Sequence, residues 1–175
     1  AGGESPGKTT RREGVKGTPG GEDRRGRAAL RFVVLLGVVD LLADATYEGA
    51  RSIAGPFLAH LGAGAAATGF VAGLGEFAGY ALRAVSGYLG DRTGRFWAIT
   101  IFGYVLNLAA VPLLALAGSW QAASALMVAE RSGRAIRGPA RDAMLSHAGS
   151  RMGRGWAFGL HEALDQLGAV AGPLA

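Results

Sequence analysis

Asp40, Asp44, Glu48 and Arg51 interrupt an otherwise apolar run that begins ALRFVVLLGVVDLL. Their spacings of four, four and three place them on one helical stripe about 80° wide. Carboxylates gathered this way can line a solute path or carry a proton. They can also form a purely structural pair, such as Glu48 with Arg51. A second constellation, Gly69, Gly73, Glu76, Gly79, Arg83 and Gly87, puts an acid and a base on a small-residue face. It reads equally as a tight helix seam or as part of a transport path. A third is a cationic stripe, Arg131, Arg134, Arg137 and Arg141, with Glu130 one turn from Arg134. It can attract an anion, hold a proton-coupled acid, or send its lower members to an interface. In the fourth, His161 and Asp165 are one turn apart, with Glu162 at the edge. Histidine titrates near neutral pH, so this pair suits a proton relay; a single satisfied histidine is the competing reading.

The segments that carry these groups are long and apolar. Residues 96–117 contain no charge, and Asn107 is their only strongly polar side chain. As a helix they would reach about 33 Å, close to the hydrocarbon thickness of a bilayer. Ionisable groups at such depth are costly and must face a protein interior or a wet cavity. Thirty glycines in 175 residues favour close helix packing of the kind found in membranes. The expected fold is therefore all-α, a polytopic transmembrane helical bundle. Its five spans lie near 29–60, 65–89, 96–117, 120–146 and 155–175, the last cut short. Residues 1–27, with seven Lys/Arg against four Asp/Glu, read as a disordered basic cytoplasmic tail ahead of a partial six-helix domain over 28–175. Pro139 is expected to kink or end the fourth helix.

The connections set an orientation. Those at 60–68 and 117–124 carry no Lys, Arg, Asp or Glu, whereas 91–95 and 141–154 are Arg-rich. The positive-inside rule places the tail and the basic connections in the cytoplasm, and the expected location is the cell membrane, multi-pass. Trp97 and Trp120 suit interface positions. The chain has no cysteine, so disulfides and thiol chemistry are excluded. No nucleophile–histidine–acid set and no metal-ligand spacing stands out, so neither an enzyme nor a cofactor is expected. Gly2–Thr9 fits a P-loop pattern, but a stretch rich in Gly, Pro and charge follows it where a P-loop needs a helix, and nucleotide binding is set aside. The basic tail lacks aromatic residues for base stacking, and nucleic acid is not an expected partner.

Gly87-Tyr-Leu-Gly90-Asp91-Arg92-Thr-Gly94-Arg95 resembles the loop 2–3 signature of the major facilitator superfamily, in the topological slot where that family has it. Gly168-Ala-Val-Ala-Gly172-Pro173 is similar to the family's fifth-helix packing motif. Arg134-Ala-Ile-Arg137-Gly138 resembles its fourth-helix motif with Arg in place of Gln. Arg131 is a rival for the leading arginine. The resemblance covers residues 28–175 and implies five of twelve helices, with solute bound between two halves of which the second is missing here. It implies that Gly87, Gly90, Asp91, Arg92, Gly94 and Arg95 act as a conformational latch. It also implies that Gly168, Gly172 and Pro173 pack helices. The expected function is secondary, proton-coupled transport of a small solute. Candidate transport and coupling residues are Asp40, Asp44, Glu48, Arg51, Glu76, Arg83, Arg131, Arg134, His161 and Asp165. The other reading is a membrane-embedded binding or regulatory protein on the same scaffold. The expected partners are the lipid bilayer, the solute and protons, and the missing C-terminal half.

Overall fold

A computed structural model describes residues 19–150 and 152–174, and the P-loop-like segment and most of the expected tail lie outside them. Five α-helices follow one another: α1 Pro19–His60, α2 Ala65–Thr93, α3 Phe96–Leu114, α4 Trp120–Gly149 and α5 Arg154–Ala171. A 3-10 turn, Gly172–Leu174, closes the described chain. Helix α1 starts inside the segment expected as tail: Pro19 suits a first helical turn, where its missing N–H costs no bond.

Local chemistry sets several ends. The Ser119 side chain accepts a hydrogen bond from Ala122 N–H at 3.3 Å and so caps α4. Helix α2 ends on Gly94 at φ 66°, whose N–H returns to the Gly90 carbonyl. That left-handed conformation is one that glycine adopts without steric cost. Helix α4 runs through Pro139 instead of ending there. The proline removes one backbone bond, but helices on both sides hold the segment in place.

Helix α4 is the hub. It packs chiefly on α3 and α2, and also on α5 and α1, while the main neighbour of α1 is α5. Helices α2 and α3 are joined by a short turn but scarcely touch, because both lean on α4. Glycines make these seams. A Cβ on Gly103 of α3 would lie 2.6 Å from the Gly133 carbonyl oxygen of α4. One on Gly133 would lie 2.6 Å from Asn107 N. Across the other seam, a Cβ on Gly168 would collide with the Leu41 carbonyl, and one on Gly172 with that of Ala45. Only glycine permits backbones to approach this closely.

Burial is inverted relative to a water-soluble bundle. The largest fully buried side chains among the described residues include Arg137, Asn107, Thr100, Asp40 and Asp44. Large apolar side chains point outward instead: Phe70, Phe77 and Leu116 are 70%, 72% and 80% exposed. A small apolar cluster, Val33, Leu145 and Ala157, closes one end of the α1–α4–α5 contact. By length and composition, α3 is the one helix among the described residues apolar enough to cross a membrane. Five such helices were expected. The charges that keep α1, α4 and α5 below that mark include the groups these helices turn towards one another.

Candidate functional site

The site is a buried ion cage at the meeting of α1, α3, α4 and α5. On α1, Asp40 and Asp44 are one turn apart and face α4, where Arg134, Arg137 and Arg141 repeat at three- and four-residue steps. The two stripes interlock. Arg137 pairs with Asp40 and, through its second arm, with Asp44 at 3.2 Å. Arg141 reaches Asp40 at 3.0 Å, and Arg134 reaches Asp44 at 3.1 Å and Glu48 at 3.4 Å. Arg137 and Asp40 are almost wholly buried, 1% and 0% exposed. Such charges persist in a low-dielectric interior only when each has its counter-charge and hydrogen bonds.

Helix α3 supplies the polar partners. Tyr104 donates its hydroxyl to Asp40 at 2.6 Å, and the Arg137 guanidinium lies 4.4 Å from the centre of its ring. One turn on, Asn107 donates to the Glu130 carboxylate and to the Glu130 carbonyl. The Gly103–Gly133 seam brings these groups within reach. The expected Glu130–Arg134 pair along α4 does not form: Arg134 turns to α1, where it also stacks on Tyr47 at 4.4 Å.

Helix α5 closes the cage. His161 Nε2 lies 3.1 Å from Asp40 Oδ2, off hydrogen-bond alignment, and neither ring nitrogen is hydrogen-bonded among the described residues. No ion pair joins His161 to Asp165, so the one-turn relay expected within α5 is replaced by a contact across helices. Asp165 is buried, and its Oδ1 has no hydrogen-bond partner. The Gly168–Gly172 seam with α1 puts both side chains beside Asp40. Ligand atoms of Asp40, His161 and Asp165 lie within 4.8 Å of one another. A dication there would have to displace the two guanidiniums already on Asp40.

The remaining candidates lie elsewhere. Glu48 pairs with Arg51 at 3.6 Å as well as with Arg134. Glu76 pairs with Arg131 at 3.3 Å, while Arg83 makes no ion pair among the described residues. These line an open cleft of ≈ 310 Å³ between α1, α2 and α4. The expected glycine face of α2 is only partly in contact. Gly87 meets Pro139, whereas Gly69 and Gly73 have open space beside them. The loop 2–3 motif stands apart at the end of α2. Gly90 is buried against Phe96, Arg92 donates to the Tyr88 hydroxyl at 2.7 Å, and Asp91 is exposed.

Sequence reasoning missed the role of Arg137, the most buried cation of the cage, and those of Tyr104, Asn107 and Glu130. The signal for Arg137 was its place midway along the arginine stripe, opposite Asp40 and Asp44. Tyr104 and Asn107 share a face of an otherwise apolar helix, which is where a buried polar partner would be sought.

No protein-family model matches the chain, and no solved structure matches it significantly. It is 58% identical over 154 residues to uncharacterized proteins of Mycobacterium tuberculosis and Mycobacterium bovis, covering 88% of this chain and 38% of each of theirs. It is 33% identical over 147 residues to an uncharacterized MFS-type transporter of Methanocaldococcus jannaschii, covering 83% of this chain and 36% of that protein. The chain therefore spans well under half the length of the curated relatives it matches. The archaeal relative, with the loop 2–3 motif, points towards the major facilitator superfamily.

Proposed function

We propose that this chain is the N-terminal part of a major facilitator transporter, a secondary carrier that moves a small solute with protons by alternating access. On this reading α1 to α5 are five membrane spans of the cell membrane with the N-terminus in the cytoplasm, and a second helical half completes the path. The observation that carries the reading is the inverted packing: an ion cage centred on the wholly buried Asp40, Asp44 and Arg137, inside an exterior of large apolar side chains. Water would leave such an exterior unsatisfied, whereas lipid or a second apolar half covers it. The cage joins helices from both triplets of the half-domain, α1 and α3 with α4 and α5, so its ion pairs are placed to respond when the triplets shift. The exposed Asp91, at the end of α2, is free to engage another part of the protein as a latch.

The test uses the full-length protein in proteoliposomes. Solute uptake should rise when an inward proton gradient is imposed, and Asp91→Asn should slow it while membrane insertion persists. Solute binding without any gradient-driven uptake would favour the non-transporting, regulatory reading. Unchanged kinetics in Asp91→Asn would remove the latch.

A further inference from the structure

We infer that the open cleft between α1, α2 and α4 is a site for a small carboxylate- or phosphate-bearing solute, with Arg83 as its first contact. This rests on the transporter reading and names the solute class. The cleft is lined by Arg51, Arg83, Arg131 and Arg134 against only Glu48 and Glu76. Glu48 is shared between Arg51 and Arg134, and Glu76 is engaged by Arg131. Arg83 has no carboxylate partner among the described residues. An unpaired guanidinium at membrane depth is costly and favours an anion, which its planar fork binds in two-pronged fashion.

The site is also shaped. A Cβ on Gly138 of α4 would lie 3.3 Å from Arg83 Nη2, so the missing side chain leaves a notch for that guanidinium. A Cβ on Gly75 of α2 would lie 2.8 Å from Arg131 Cδ, a second notch on the same cleft. Arg131 is held there by donating to the Ala72 carbonyl at 2.9 Å. Arg131 is thus held by the backbone of the opposing helix, and Arg83 lies against the bare Gly138 backbone of α4.

Depth favours a free solute over a lipid headgroup. Arg51 is nine residues from the end of α1 at His60, and Arg83 is ten from the end of α2 at Thr93. At 1.5 Å per residue both lie about 14 Å inside the helix ends, below headgroup level.

The experiment measures thermal stabilisation of the purified full-length protein by inorganic phosphate and by citrate, with sucrose and choline as controls. At least one of the anions should stabilise it, and the controls should not. Arg83→Gln should weaken that anion's binding about tenfold, the loss of one charge-assisted contact, while Arg83→Lys should recover part of it. If Arg83→Gln does not fold, Arg51→Gln on the opposite rim is the second variant and should also weaken the anion. Equal responses to anions and controls, or anion binding unchanged in the folded variants, would overturn the inference. So would competition by phosphatidylglycerol in nanodiscs that abolishes the anion response, because it would assign the cleft to a lipid headgroup. Gradient-driven uptake of a neutral or cationic solute, unaffected by Arg83→Gln, would leave the transporter reading standing and remove this one alone.

Discussion

The cage and the cleft share Arg134 and Glu48 yet are built on opposite terms. In the cage, carboxylates and guanidiniums interlock, and two glycine seams press four helices together around them. In the cleft, cations outnumber acids, and α1 and α2 barely touch. Charge in a closed, balanced cluster fixes one arrangement of helices. Charge left in excess on an open wall awaits a partner. The same residue types therefore hold the bundle in one region and stand ready to bind in the other.

The sharpest way to break this contrast is to unbalance the cage. Asp40→Asn leaves Arg137 and Arg141 short of a counter-charge and should cost about 3–5 kcal/mol, read as a large fall in melting temperature or in folded yield. The double variant Asp40→Asn, Arg137→Gln should recover part of that loss, because it removes the stranded charge. An unaltered melting temperature in the single variant would mean that the cage does not hold the helices. A smaller effect is expected at the seam. Gly133→Ala drives a Cβ into Asn107 backbone and should cost about 1–3 kcal/mol, whereas Gly69→Ala, with open space beside it, should be neutral or slightly stabilising. Equal melting temperatures for the two alanine variants would show that the seam tolerates separation. The smallest effect belongs to the cleft: Glu76→Gln, whose side chain is 56% exposed, should change stability by less than about 1 kcal/mol. A loss comparable to that of Asp40→Asn would make the cleft part of the structural network.

Helix positions were legible because apolar runs are separated by short polar or glycine-rich connections, and α2 to α5 begin and end close to those runs, whereas α1 starts ten residues earlier than its run, at Pro19. Asp40 and Asp44 were legible as interior groups, since three- and four-residue spacing defines a face whatever the face meets. Pairings were less accessible. Glu130 with Arg134, and His161 with Asp165, satisfy the one-turn rule within a helix. Both lost to partners on other helices, because a glycine seam brings a competing group nearer than the next turn of the same helix. The glycine face of α2 misled for a related reason: periodicity shows which residues share a side, not whether another helix arrives there, and beside Gly69 and Gly73 none does.

By itself the sequence determined that the chain is helical, where its helices run, and which of their stripes carry charge. These follow from local spacing and from the cost of placing ions among apolar residues. Only the tertiary structure decided that α4 is the hub, that Arg137 is the most buried cation of the cage, and that Arg83 is left without an acid. Those outcomes depend on which helices approach closely, and that is set by glycines such as Gly103, Gly133, Gly168 and Gly172, whose effect exists only against the opposing backbone.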